Sequence, residues 1–183
     1  MGKQKGAEWN CIDCKHKYNP LEVHYSKRDK CPECNSDNIE KTRSSLVVEW
    51  LRILKEKNPN LAIYENVKNL IGKKHKHFFD LFIKELQEYG YSTYWKVLNA
   101  KDYGVPQNRE RVYLIIIKRE LDNGKFQFPK PFDNGLRLRD VLENEVDEKY
   151  YINQDKANIL IDKLRDKEFS NTVRSSGHGF ISN

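Results

Sequence analysis

The sequence predicts an α/β fold with a largely parallel sheet, and three observations lead there. Helix-period and strand-like segments alternate from residue 42 onward, the pattern of layered α/β chains. Val112-Tyr-Leu-Ile-Ile-Ile117 runs without a polar interruption, as a strand covered on both faces requires. The chain has 183 residues, 38% of them hydrophobic, enough for one ordinary domain and a small appendage.

The elements follow in order. Leu46, Val47, Trp50, Leu51 and Leu54 recur at helical spacing, which predicts a helix with one apolar face. Thr42 or Ser44 is placed to cap its start, and Asn58-Pro59 to stop it. Leu61-Ala-Ile-Tyr64 is a short apolar run, expected to be a buried parallel strand that delivers Glu65-Asn66-Val67 to its carboxyl end. A basic loop comes next, Gly72-Lys-Lys-His-Lys-His77. Phe78, Phe79, Phe82 and Leu86 then mark a second amphipathic helix, ended by Gly90. Residues 91–98 are rich in aromatic and β-branched types and predict a strand. A loop holding Gly104 and Pro106 leads into the Ile-rich strand, and short helices are expected near 138–142 and 156–164.

Residues 1–41 differ from the rest. They are polar and poor in aliphatic side chains, so they cannot bury enough apolar surface to order themselves. They carry all four cysteines of the chain, as Cys11-Ile-Asp-Cys14 and Cys31-Pro-Glu-Cys34. Two CxxC pairs at this separation supply the four thiolates of a closed, tetrahedral structural zinc site. Binding of such an ion yields on the order of 10 kcal/mol of folding free energy. Trp9, Tyr18, Val23 and Tyr25 are expected to form a small apolar shell around it. Four thiolates leave no open coordination position, which favours a structural over a catalytic zinc.

Net charge is +6 and the sequence pI about 9.0, a balance that favours a polyanionic partner. No stretch approaches the length of a membrane span, and the first residues lack the apolar core of a signal peptide. The expectation is a soluble cytoplasmic protein, with paired cysteines that are metal ligands and not disulfides.

Two places put ionisable groups where α/β sheets bind ligands, beyond the carboxyl ends of strands. Glu65 follows the first strand. Gln107-Asn-Arg-Glu-Arg111 precedes the Ile-rich one. Arg109 and Arg111, two apart in an extended segment, point to the same side, and one guanidinium fork can hold a phosphate or a base oxygen while the other supports it.

These residues carry a resemblance. Glu65-Asn-Val-Lys-Asn-Leu70, followed by Val97-Leu-Asn-Ala-Lys-Asp-Tyr-Gly-Val-Pro-Gln-Asn-Arg-Glu-Arg-Val-Tyr-Leu114, resembles the middle of a DNA (cytosine-5) methyltransferase. Thr42-Arg-Ser-Ser-Leu46, Phe126-Gln-Phe-Pro-Lys-Pro131 and Leu138-Arg-Asp-Val-Leu142 fit the flanking stretches, so the likeness spans roughly residues 42–152. It implies a partial Rossmann-like methyltransferase sheet with the zinc knuckle as a ribbon-like insertion beside the nucleophile loop. It implies double-stranded DNA as substrate, from which the target cytosine is flipped into a pocket. A cysteine thiolate adds to ring carbon 6, and carbon 5 then takes the methyl group of S-adenosylmethionine. By motif match Glu65 contacts ring nitrogen 3, Arg111 contacts the flipped base with Arg109 in support, and Asn66 orients the pocket backbone. Arg43, Ser44 and Gln107 are the candidate DNA contacts, together with the basic run at 73–77.

The sequence departs from the family in two ways. There is no Phe-x-Gly-x-Gly turn for the cofactor, so no cofactor-binding residue is assigned here. No cysteine follows a proline, since Cys31 precedes Pro32. The expected division is a knuckle at 1–41, a partial catalytic domain at 42–135 and the start of a target-recognition region at 136–183. On this reading the chain is an incomplete part of the enzyme, inactive alone, completed by an amino-terminal partner chain or else a phage or mobile-element remnant of a restriction-modification system. The alternative is a non-catalytic zinc-ribbon module that binds nucleic acid.

Overall fold

A computed structural model describes residues 7–42 and 45–143, together with 145, 147, 170 and 171. The helix expected near 156–164 lies outside the described residues, as do Arg43 and Ser44. Two compact units are formed, one from the described residues of Met1–Lys96 with Val112–Gln127, the other from those of Val97–Arg111 with Phe128–Asn183.

The first unit begins with a small antiparallel sheet. Strands β1 (Trp9–Cys11), β2 (Lys17–Tyr18) and β3 (Ile39–Lys41) take the order β2-β1-β3, with Trp9 opposite both Tyr18 and Lys41. Trp9 and Tyr18 are buried and meet edge to face, as expected of the metal-knuckle shell. Tyr25 does not join them. It packs edge-on against Tyr89 at 5.0 Å, and Pro20 and Leu21 are buried as well.

Helix α1 (Leu46–Lys57) buries Val48, Leu51 and Leu54. Its start is capped differently from expectation: Ser45 is the N-cap residue, and its hydroxyl turns back to the Thr42 carbonyl instead of taking a helix amide. Its end is as expected, with Asn58 in the left-handed region donating its N–H to the Leu54 carbonyl ahead of Pro59. Strand β4 (Leu61–Val67) is longer than expected and carries Glu65 within it. It is not a strand buried on both faces. Tyr64 packs on Trp50 of α1 and on Phe82 of helix α2 (Lys76–Glu88) at 5.2 and 5.0 Å. Leu61, Ile63 and Val67, on the alternate positions, are about half exposed. The start of α2 takes in Lys76 and His77, so the basic run is a loop only as far as His75. Gly90 closes the helix with a φ of +88°.

Strands β5 (Tyr91–Asn99) and β7 (Glu110–Lys118) complete a three-stranded sheet of order β4-β7-β5. The last residues of β7 bond to the starts of both neighbours, Lys118 N–H to Asn60 O and Arg119 N–H to Gly90 O. The central strand therefore runs against both outer ones, which corrects the expectation of a largely parallel sheet. A short loop can return the chain antiparallel, whereas a parallel neighbour needs a crossover of a dozen residues or more, and the 100–109 segment is too short for one. Val112, Leu114 and Ile116 of β7 are fully buried, and the architecture is mixed α/β.

In the second unit a 3-10 turn over Leu138–Val141 stands where a short helix was expected. Strand β6 (Gln107–Asn108) pairs in parallel with β8 (Ser170–Asn171). Among the described residues no helix is long and apolar enough to cross a membrane.

Phe82→Ala removes a ring that is 2% exposed and is expected to cost about 3–5 kcal/mol in urea unfolding. Ile53→Ala, at a site half exposed on α1, is expected to change stability by no more than about 0.5 kcal/mol. Equal losses would contradict this packing.

Candidate metal centre and base-holding residues

The four cysteines meet at one point. Their Sγ atoms all lie within 4.8 Å of one another, with Cys11 to Cys34 at 3.5 Å and Cys14 to Cys31 at 3.6 Å. A disulfide would bring two sulfurs to about 2.05 Å. A tetrahedron of Zn–S bonds near 2.3 Å has edges of about 3.8 Å, so the cluster has the size of a zinc shell, and the donor set fits that ion.

The backbone builds the two halves alike. Lys15 N–H donates to Cys11 O, and Asn35 N–H to Cys31 O. Cys11 N–H donates to His16 O, and Cys31 N–H to Ser36 O. Lys15 and Asn35 hold equivalent left-handed conformations, with φ of 62° and 63°. Asp13 ties the halves together, accepting from the Ser36 hydroxyl and from Asn38 Nδ2. An amide directed from Cys14 pulls the Cys11 thiol down to about 7. The His16 amide lowers Cys14 as well, but burial and the three neighbouring sulfurs outweigh it and push Cys14 up to about 12. One thiolate forms readily, and crowding opposes those of Cys14 and Cys34 until a cation neutralises them.

The candidate base-holding residues fall into two sets, one in each unit. In the first, Glu65 stands on the exposed side of β4 with Ile63 and Val67, because alternation sends Tyr64 and Asn66 to the helix side. Asn66 is held at both ends of its amide: Nδ2 donates to Tyr64 Oη at 2.8 Å, and Oδ1 accepts from Val67 N–H at 2.8 Å. Burial raises the Tyr64 phenol, which keeps it protonated. Tyr64 and Asn66 line a cavity of about 320 Å³ with Asn19, Leu21, Val47 and Phe78.

In the second set, Gln107 lies in β6, and Arg109 joins it to β7, where Arg111 alternates with buried Val112. Arg111 Nη1 donates to Glu110 O at 2.8 Å. Asn99 organises the loop, a residue that sequence reasoning quoted without a role. Its Oδ1 accepts from Arg109 N–H at 2.9 Å and its Nδ2 donates to Asn108 Oδ1 at 2.7 Å. Gly104 has a φ of +74°, and a side chain there would meet Asn134 at 2.7 Å. That leaves the Tyr-Gly-Val-Pro turn no alternative to glycine.

Sequence reasoning also missed a buried ion pair. Arg28, between the cysteine pairs, meets Glu85 of α2, and both side chains are under 8% exposed. Each segment carries several charged residues, and nothing local announced that these two meet across 57 positions.

The mixed α/β chain carries Glu-Asn-Val on one strand and Gln-x-Arg-x-Arg entering another, a motif order shared with a family of nucleobase-modifying methyltransferases. Residues 33–180 match C-5 cytosine-specific DNA methylases, and the chain belongs to that family. It is 47% identical over 111 residues to the type II methyltransferase M2.ScrFI of Lactococcus lactis subsp. cremoris, covering 61% of this chain and 30% of the relative. It is 33% identical over 192 residues to the orphan methyltransferase M.SPBetaI of Bacillus phage SPbeta, covering 89% and 43%. Type II methyltransferase M.HhaI of Haemophilus parahaemolyticus is 33% identical over 136 residues, covering 74% and 42%. The chain thus spans less than half the length of these relatives. Among solved structures, S. pombe Dnmt2 methyltransferase overlaps 70% of this chain and 43% of its own at 20% identity and a TM-score of 0.48, too slight a likeness to bear on the fold.

Metal analysis of the purified chain is expected to return one zinc per molecule. Cys34→Ser, which removes one of four donors, is expected to lose stoichiometric zinc. A chain that folds normally with no metal would contradict the site.

Proposed function

We propose that this chain supplies the base-holding part of a DNA (cytosine-5) methyltransferase, and that its four thiolates hold a structural zinc. The observation that carries the reading is a division of labour among side chains. The Glu-Asn-Val and Gln-x-Arg-x-Arg residues are present in order, while every thiol is gathered in one cluster. A thiolate that adds to cytosine carbon 6 must therefore come from residues outside this sequence, on the same polypeptide or on another. The methyl donor of the family, S-adenosylmethionine, finds no matching Phe-x-Gly-x-Gly turn here, and no step through it is assigned to these residues.

The work left to this chain is electrostatic. Glu65 projects from β4 into the open, where a carboxylate can take the N3 and amino edge of an extruded cytosine. Charge that develops on the ring during attack at carbon 6 is best opposed by a group held in place beforehand. Asn66, fixed at both ends, stiffens the strand at that point. Arg111, with Arg109 beside it in sequence, offers planar donors to the base oxygen, and Asn99 sets the backbone from which they project. Gln107, Arg43, Ser44 and the basic residues at 73–77 are proposed phosphate contacts, so DNA affinity is expected to fall steeply with salt.

The test is reconstitution. Incubated alone with cytosine-containing duplex and labelled methyl donor, the 183-residue chain is expected to transfer nothing above background. Addition of a family segment that carries the Pro-Cys nucleophile and the cofactor turn is expected to restore transfer. Glu65→Gln is then expected to lower the restored rate by about 10²-fold or more. Transfer by the chain alone, or an indifferent Glu65, would overturn the reading.

A further inference from the structure

The motif-based function uses none of the contacts between the cysteine knuckle and helix α2, yet these contacts include a buried ion pair. Arg28 sits on the segment between Cys14 and Cys31. Its Nε donates to the carbonyls of Pro20 and Val23, at 2.6 and 3.0 Å, so its own loop fixes the guanidinium. Its Nη1 donates to Glu85 Oε1 at 2.8 Å and its Nη2 to Glu85 Oε2. Tyr89 Oη also donates to Glu85. Around this pair, Tyr25 packs on Tyr89, and the Lys55 ammonium lies 3.9 Å from the Tyr25 ring centre. His24 approaches Glu88 at 3.8 Å and His77 approaches Glu22 at 3.7 Å along the exposed rim.

A buried carboxylate without its cation is strongly unfavourable, because desolvation is then uncompensated. Glu85 therefore needs Arg28, and Arg28 is in place only while the knuckle is folded. A polar segment of this length lacks an apolar core of its own, so the knuckle's fold depends on whatever holds the four sulfurs together. One turn before Glu85 in α2, Phe82 packs on Tyr64, and Tyr64 Oη holds the Asn66 amide. Asn19 and Leu21 of the knuckle also wall the cavity that Tyr64 and Asn66 line.

We propose that the four-cysteine metal knuckle is a clamp on α2, closed by the buried Arg28–Glu85 pair, so that metal binding stabilises α2 and, through Phe82 and Tyr64, the Glu-Asn-Val strand. The clamp rests on the metal-site reading but not on the catalytic one. It makes Arg28 and Glu85 positioning residues, and it gives the metal a structural effect beyond its own turns.

Hydrogen–deuterium exchange on the full chain tests it without any activity assay. In the zinc-loaded protein, chelation is expected to speed exchange of the α2 amides and of 61–67 by roughly tenfold or more, along with those of 9–41. Glu85→Gln with zinc still bound is expected to show the fast α2 exchange already, and chelation is expected to add little to it. Arg28→Met combined with Glu85→Leu replaces the pair by apolar side chains of similar reach. It keeps α2 protected in the zinc form and guards against a single variant that fails to fold. Chelation that frees residues 9–41 while α2 exchange is unchanged would overturn the clamp. An undiminished response to metal in Glu85→Gln would do the same, as would a chain that binds no metal.

Discussion

The contact on which the rest depends is the meeting of Trp50, Tyr64 and Phe82. These rings, 5.0 to 5.8 Å apart and steeply inclined to one another, join α1, β4 and α2 with the geometry aromatic groups prefer. Because side chains alternate along a strand, turning Tyr64 inward also decides where its neighbours point. Asn66 follows it to the helix side, and Glu65 is sent to the opposite face with Ile63 and Val67. The face from which the proposed catalytic carboxylate projects is thus a by-product of core packing at the neighbouring residue.

The same logic explains the arginine-bearing loop. Asn99 grips Arg109 and Asn108, ten and nine residues later in the chain. One amide thereby closes the whole excursion between β5 and β7. The positive φ of Gly104 and the absence of room beside it allow the loop to fold back on Asn134. The basic side chains themselves are exposed only in part, but the backbone that presents them is held from within.

Much of this was legible in the sequence, and the pattern of success is physical. The helices announced themselves through apolar residues at helical spacing and through Asn58-Pro59 and Gly90 as stops. The cysteines announced their cluster because CxxC spacing is a local geometric constraint. What failed was whatever depended on long-range partners. The run at 61–64 has the composition of a strand covered on both faces, yet composition cannot say whether a second layer is present, and Leu61 and Ile63 stand half exposed. The direction of β7 could not be read from apolar content, which is the same for parallel and antiparallel neighbours. Tyr25 looked like a shell residue for the knuckle by proximity in sequence, but Tyr89 at the end of α2 takes it. The Arg28–Glu85 pair was invisible for the same reason. For the proposed base-holding residues, sequence supplied identities through their motifs, while the side-chain directions came only from the packing of their neighbours.

The likeness of the two cysteine turns has a consequence for the order of folding. Each turn is closed by bonds spanning four or five residues, with Lys15 and Asn35 in matching conformations. Joining the turns closes segments of only 17 to 23 residues, whereas the bond from Arg28 to Glu85 spans 57. Loop-closure entropy rises with span, and local contacts form earliest. The two turns can therefore assemble before α2 exists. The emerging chain would carry a finished knuckle with its arginine already held by Pro20 and Val23, awaiting the helix that supplies the carboxylate.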